Sequence, residues 1–314
     1  MAILAHLPFR ERLIQLMYCK PVGRFAAWSS RAVGAGRISQ RISPLCHYVP
    51  SVVPVNIPAR HGGGTFRMRG HHARDSVARC LWWGGWESFE SPLPDVFATL
   101  SRGCECVLDV GSYSGCYSML AARCEPDARV FAFEPFPTAR QMLQENLALN
   151  SLRDRITVIA EAASDRCEQR TLHVPPTTTG LLETASTLEA DLYDETIERL
   201  PVQTVTLDHF AAQHQGRIGL MKVDVEAAEL SVLRGASKVL TEHRPLMCVE
   251  ILAAAKVQPI QALLEQHDYA IALLTRDGVM RRDRLESHAD APDQLFYPRE
   301  RQEEITERLS WIRG

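Results

Sequence analysis

Between residues 104 and 298, short apolar runs alternate with stretches whose apolar positions recur every three to four residues. This alternation predicts strands separated by helices. The run 104–111, CECVLDVG, is apolar and ended by glycine, which predicts a buried strand, with 116–123, CYSMLAAR, as the helix after it. ARVFAFEP at 128–135 predicts a second strand stopped by Pro135. PTARQMLQENLALN at 137–150 predicts a helix with Ala139, Leu143 and Leu147 on one face and Asn150 at its stop. RITVIAEAAS (155–164), GLMKVDVE (219–226) and PLMCVEI (245–251) predict the third, fourth and fifth strands, and the text 227–240 predicts one helix between the last two. A helix near 259–267 and two late strands, 269–275 and 293–298, complete the series. Strands spaced by helices of this length imply a mostly parallel sheet covered on both faces, a Rossmann-like α/β fold.

The flanks read differently. Residues 1–60 form a basic arm with eight Lys or Arg against the single acid Glu11. A helix is expected over 10–18, and Pro44, Pro50, Pro54 and Pro58 oppose regular helix after it. Such an arm could pack against the main domain or join two copies into a homo-oligomer, and a basic, acid-poor arm could also touch an anionic membrane surface or serve as a transit peptide. Residues 61–103 are a lead-in, where GGGTFRMRG predicts a strand and half of a hairpin. The main domain spans 104–300, and 301–314 is a helical tail. The hydroxyl- and acid-rich text 175–200 interrupts the alternation, as a lid over a site or as a solvated insertion.

Composition narrows the class. With 314 residues, 46% hydrophobic and 23% charged, the chain has the balance of a folded protein, and a net charge of −3 gives no electrostatic case for nucleic acid. The nine cysteines are scattered without zinc-site spacing, which suits reduced thiols. No apolar run approaches about 18 residues, so no transmembrane segment is expected. The N-terminal apolar stretch is broken by Arg10, Glu11 and Arg12, and a cytoplasmic location is the expectation.

The candidate chemistry lies at strand ends. In VLDVGSYSGCYS, Asp109, Gly111 and Gly115 form D-x-G-x-x-x-G between a strand and a helix, a tight turn on which a nucleoside could rest. An acid at that turn suits a sulfonium and an ammonium better than a pyrophosphate. Glu134 ends the neighbouring strand and could accept from both hydroxyls of a ribose. Asp224 and Glu226, two apart, point the same way, and convergent carboxylates at a sheet's carboxyl edge are costly without a task. Glu250 ends the next strand on the same edge, and Glu229 falls in a first helical turn, where an acid also suits the helix dipole.

The order of VLDVGSYSGCYSML, VFAFEP, NLALN, TVTLDHF, LMKVDVEAAELSVLRGA and PLMCVEI resembles the FkbM family of S-adenosylmethionine-dependent methyltransferases, over roughly residues 62–298. The resemblance implies a class I methyltransferase fold, seven strands with the last antiparallel, and O-methylation of small-molecule or sugar hydroxyls. It implies Asp109, Gly111 and Gly115 as the cofactor loop, Glu134 as the ribose acid, and Asp224 and Glu226 as the D-V-E-G motif. Ser112, Tyr113, Pro135 and Ala162 join them as candidate cofactor contacts. Tyr113 stands where the family's G-A-N-x-G loop has asparagine, and Ala227 stands where D-V-E-G has glycine.

Methyl transfer to an aliphatic hydroxyl calls for a base. Asp224 or Glu226 is the first choice and Glu250 the third. The same carboxylates could hold Mg²⁺ against vicinal hydroxyls, although a metal-free site is the expectation. Two other readings stand beside this one. A cofactor-binding module that has lost catalysis is motivated by Tyr113 and Ala227. A nicotinamide-dependent oxidoreductase is disfavoured by the absence of G-x-G-x-x-G. His209, His214 and His243 have no motif around them. His71 and His72 could line an acceptor pocket, Trp82, Trp83 and Trp86 read first as core, and Glu87 matches an upstream family glutamate loosely.

Overall fold

A computed structural model describes residues 49–71, 74–175, 186–190, 198–275, 278–289 and 291–311. The helix expected over 10–18, most of the basic arm, His72 and most of the interrupting text 175–200 lie outside the described residues.

The described chain begins with a hairpin. β1 (Val52–Asn56) pairs antiparallel with β2 (Thr65–Arg69), from Val52 opposite Arg69 to Asn56 opposite Thr65. Period-two alternation sends Val53, Val55, Phe66 and Met68 into the core and leaves the Pro54 side chain outward. Arg67, opposite Pro54, bonds Asn150 with its own N–H and C=O, so the missing N–H of Pro54 costs the ladder nothing. The hairpin straddles residue 60, so its first strand lies within the span assigned to the arm. Two helices follow. α1 (Ser76–Gly84) is capped by Asp75, whose side chain accepts from the Ala78 amide, and α2 is Leu93–Ser101.

The central sheet contains β3 (Cys106–Val110), β4 (Arg129–Phe133), β5 (Ile156–Ile159), β9 (Ile218–Val223), β10 (Leu246–Glu250), β11 (Tyr269–Thr275), β12 (Gly278–Arg282) and β13 (Asp293–Pro298), in the order β12-β11-β13-β10-β9-β3-β4-β5. The five strands from β10 to β5 run parallel. β13 is antiparallel to both of its neighbours, and β12 is antiparallel to β11. The fold is thus the expected Rossmann-like α/β class, with eight strands in place of seven. The extra strand is β12, in which three consecutive residues, Met280, Arg281 and Arg282, are exposed, so that no alternating pattern betrays it.

The text 155–164 divides. β5 joins the main sheet, and β6 (Ala162–Ala163) starts a second, three-stranded sheet with β7 (Gln169–Val174) and β8 (Glu198–Val205), in the order β6-β8-β7. Thr187, beyond β7, bridges His173.

The connecting helices are α3 (Cys116–Cys124), α4 (Pro137–Leu149), α5 (Leu207–Gln213), α6 (Glu229–Arg234) and α7 (Val257–Gln266), and α8 (Gln302–Arg308) falls in the C-terminal tail. The helix expected over 227–240 stops at Gly235 and resumes as a wider turn over Val239–His243. Alternate strand residues feed two cores. Val107, Ala132 and Leu220 pack on the hairpin and α3 side, while Leu108, Phe131 and Met221 pack on the α5 and α6 side. Asn146 and Asn150 of α4 and its stop fasten the hairpin, accepting from the backbone amides of Arg69 at 2.7 Å and Arg67 at 2.8 Å.

The chain runs from β3 outward through β4 to β5 and then returns to β9 on the other side of β3. Where connections part in this way, a crevice opens at the carboxyl ends of the strands, and ligands of open α/β sheets lie there.

Candidate functional site

A cavity of about 300 Å³ occupies that crevice. Gly111, Ser112, Tyr113, Glu134, Pro135 and Ala162 line it, and so do Asp224, Glu226 and Glu250. Nine of the eleven candidate residues therefore share one space. The exceptions are Asp109 and Gly115.

Asp109 needs correcting. Its side chain is buried, and Oδ2 accepts from the amide and the hydroxyl of Ser118, at 2.9 and 2.5 Å. Ser118 is in the first turn of α3, so the carboxylate satisfies an orphan amide and sits at the positive end of the helix. It stabilises the loop-to-helix joint and does not face the cavity. Gly115 is the residue before α3, at φ +85°, and a Cβ there would lie 2.2 Å from Cδ1 of Leu143.

Gly111 also has a cause different from the one expected. Its φ is +85°, and an added Cβ would stand 1.7 Å from the Asp224 carbonyl oxygen. The Asp224 amide in turn donates to the Val110 carbonyl at 2.9 Å. Glycine at 111 lets the ends of β3 and β9 close on each other, whether or not a ligand is near.

The rest of the loop is built around Glu134. The Tyr113 amide donates to Oε2 at 2.7 Å and the Phe136 amide to Oε1 at 2.8 Å. Tyr113 has φ +47°, a left-handed conformation in which asparagine is much more at ease than tyrosine. Burial pushes the Glu134 carboxyl up to about 7, against the opposing pull of those two amides. About two of its four acceptor positions remain for a ligand's hydroxyls.

On the β9 and β10 side the carboxylates gather. Carboxylate oxygens of Asp224, Glu226 and Glu250 lie within 4.8 Å of one another. Lys222, buried in β9, places Nζ 2.5 Å from Asp224 Oδ2. The neighbouring acids, Asp224 first, hold this ammonium above its ordinary range although burial opposes its charge. Burial and then Asp224 push Glu250 up to about 10, and burial and then Asp224 push Glu226 up to about 7. At neutral pH Glu250 therefore keeps its proton, and Glu226 is poised near its midpoint.

The backbone here is strained. Glu226 has φ +53° and Ala227 φ +71°, two successive residues in the left-handed region. The Thr187 hydroxyl holds the Glu226 carbonyl at 2.6 Å, and Glu229 Oε1 accepts from the Ala227 amide at 2.9 Å. Glu229 is thus a brace for the turn, fully buried and outside the cavity lining.

Among the lining residues that had not been singled out are Glu90, Tyr117 and Lys222. Lys222 could have been found, because a lysine inside an apolar strand two residues before an acid shares that acid's face. Glu90 lies three residues after Glu87, whose partner is Arg60 at 3.1 Å on the exterior. The tyrosine hydroxyl of Tyr117 donates to Glu90 Oε2 at 2.6 Å.

The remaining candidates lie elsewhere. Trp82 and Trp83 are core residues, and Trp86 donates to Asp95 at 3.1 Å. His209 meets Gln213 at 2.8 Å, His214 stacks on Phe210, and Nδ1 of His243 accepts from the Ile218 amide. His71 lies 4.0 Å from Glu145. None of these lines the cavity. No helix among the described residues is long and apolar enough to cross a membrane.

Comparison with known proteins identifies a family. The sequence profile of the methyltransferase FkbM domain fits residues 105–277. Methyltransferase sdnD of Sordaria araneosa is 28% identical over 214 residues, covering 60% of this chain and 78% of its own. Among solved structures, a methyltransferase FkbM from Methylobacillus flagellatus KT is similar at 20% identity and a TM-score of 0.38, over 62% of this chain and 43% of that one. This chain thus spans less than half of that protein. A SAM-dependent methyltransferase from Agrobacterium tumefaciens is similar at 11% identity and a TM-score of 0.42, over 80% of this chain and 71% of that one.

Proposed function

The chain belongs to the FkbM family of methyltransferases, and from that premise we propose that it methylates a hydroxyl oxygen of a small molecule or sugar, with S-adenosylmethionine as donor and Glu226 as base. The observation that carries this reading is the division of labour among three cavity acids. Asp224 is tied to Lys222 at 2.5 Å, Glu250 is raised to about 10 and holds its proton, and Glu226 is raised to about 7. A general base works best with a pKa near the operating pH.

The cavity fits the donor. Glu134 has acceptor capacity left for the ribose, and the turn at Gly111 to Tyr113 with Pro135 and Ala162 supplies a floor and walls for an adenosine. Bound there, the donor would supply a methyl group on a sulfonium, a leaving group that needs no protonation. The chain's own work is to position the acceptor and take its proton. Glu226 Oε accepts that proton. Asp224, held by Lys222 and by the proton of Glu250, fixes the wall beside it. The braced left-handed turn at 226–227 keeps the base from swinging away.

The three carboxylates could also hold Mg²⁺, for which hard oxygen ligands are suited. Lys222 and the proton on Glu250 already offset much of their charge, which favours a metal-free reaction. As for lost catalysis, Tyr113 and Ala227 both keep the left-handed backbone that their positions require, so neither departure has collapsed the site. A small-molecule or glycan acceptor, no nucleic-acid substrate, a cytoplasmic location and assembly through the N-terminal arm complete the proposal.

The test is mass spectrometry of small molecules and glycans from a lysate incubated with the enzyme and methyl-labelled donor, with and without EDTA. Label on an oxygen, unaffected by EDTA, is the expected result. Label on nitrogen or carbon only, or none with wild type across the lysate, overturns the O-methylation reading.

A further inference from the structure

The donor proposed above ends in an amino acid, and its ammonium needs a carboxylate inside an enclosed cavity. In the sequence the acid for that cation is Asp109, but its carboxylate is turned inward onto Ser118. Among the acids that line the cavity, Glu134 takes two backbone amides, Asp224 takes Lys222, and Glu250 holds its own proton. Glu226 is the base. Glu90 is left.

We infer that Glu90 binds the ammonium of the donor's amino-acid end, so that a residue from the lead-in segment completes the cofactor site of the methyltransferase domain. This inference rests on the S-adenosylmethionine reading. Glu90 precedes the 105–277 span of the family profile. Protein atoms crowd the Glu90 carboxyl, yet the residue as a whole is exposed, and the space open to it includes the cavity it lines. Its backbone is left-handed at φ +44°, a conformation that a glutamate adopts only when its surroundings impose it.

The Tyr117 hydroxyl donates to Oε2 at 2.6 Å, using one of about four acceptor positions and leaving the others for a cation. Tyr117 is the second residue of α3 and follows directly on the glycine loop, so the carboxylate stands beside the turn that would carry the nucleoside. Lys222 Nζ sits 4.7 Å from the centre of the Tyr117 ring and pulls the Glu90 carboxyl down, while Asp224 and Asp109 push it up together with burial, the largest effect. A ligand ammonium would join Lys222 in holding the ionised form.

Two ligands separate this role from a structural one. S-adenosylhomocysteine has the amino-acid end, and 5′-methylthioadenosine lacks it. Calorimetric dissociation constants for both are to be measured on wild type, Glu90→Gln and Tyr117→Phe, with thermal melts of each protein. Glu90→Gln is expected to weaken S-adenosylhomocysteine about ten- to a hundredfold and to leave methylthioadenosine within about twofold, as loss of one charge-assisted bond requires. Tyr117→Phe, which keeps the charge but frees it, gives a smaller loss with the same selectivity, and decides the matter if Glu90→Gln does not fold. Equal weakening of both ligands would make Glu90 a shaping residue and overturn the inference, as would no weakening of either. If wild type binds neither ligand, the donor reading itself fails, and this inference with it.

Discussion

Lys222 Nζ lies 2.5 Å from Asp224 Oδ2, both groups on one face at the end of β9. The lysine is buried, with a side chain only 4% exposed, while that of Asp224 is 24% open toward the cavity. Buried ion pairs contribute little net stability, but removing one partner leaves the other uncompensated. Here the lysine also faces Glu90, Asp109 and Asp293, so its loss would leave a group of acids with no counter-charge.

Lys222→Met is therefore expected to destabilise the protein by about 3 kcal/mol, the scale for a broken buried pair. Adding Asp224→Asn to it should recover part of that loss, because one unpaired charge goes. Urea denaturation of wild type, both single variants and the double variant measures the coupling. Strict additivity would mean that the pair is not an energetic unit.

The three acids predict a pH profile. Glu226 must be ionised to accept a proton, so kcat/KM should rise with pH through about 7 and level off above it. With the donor saturating, so that Glu134 adds no pH dependence of its own, Glu226→Gln should remove both the inflection and about a hundredfold or more of the rate. Glu250→Gln should be nearly silent, because an amide replaces a carboxyl that is already protonated below about 10. A silent Glu226→Gln together with a large loss in Glu250→Gln would exchange their roles.

The parallel strands and the cavity edge were legible in the sequence because both rest on local patterns. Apolar runs ended by glycine, proline or acid mark β3, β4, β9 and β10, and their carboxyl ends carry Glu134, Asp224, Glu226 and Glu250. What was not legible depends on side-chain direction or on contacts distant in sequence. Asp109 looked like an open acid because nothing in VLDVGSYSGCYS says that Ser118, one helical turn in, will take its oxygen. Gly111 is explained by a carbonyl at 224, more than a hundred residues away. Glu90 reaches the cavity through a left-handed bend that no propensity would assign to glutamate. β12 was invisible because an edge strand with one buried residue shows no period.

Glu134 couples cofactor binding to protons. Ribose hydroxyls donate to its charged form, so binding should lower its pKa from about 7, and a proton should leave when S-adenosylhomocysteine binds near pH 6.5. Affinity should then increase as pH rises from 6 to 8. Calorimetry in buffers of different ionisation enthalpy counts the released proton. Glu134→Gln should abolish much of the release and weaken binding about tenfold or more. Affinity and proton count unchanged in that variant would place the ribose elsewhere.

Ala227 is the place where strain and function can be separated. At φ +71° alanine pays a left-handed cost of about 1–2 kcal/mol that glycine avoids, while glycine gives up about 0.5–1 kcal/mol of that gain through the freer unfolded chain. Ala227→Gly should therefore stabilise the protein by about 0.5–1 kcal/mol, read as a higher urea midpoint at an unchanged slope. The amide of residue 227 still donates to Glu229 Oε1, and the Glu226 carbonyl is still held by Thr187, so the turn has no reason to move. Turnover should then stay within about threefold of wild type, since the base keeps its position to within a fraction of an ångström. A loss of stability would mean that the left-handed turn is not the conformation the protein holds in solution. A stabilised variant with a large fall in rate would mean instead that the strain at 226–227 itself serves the reaction, by keeping Glu226 turned into the cavity against a softer backbone.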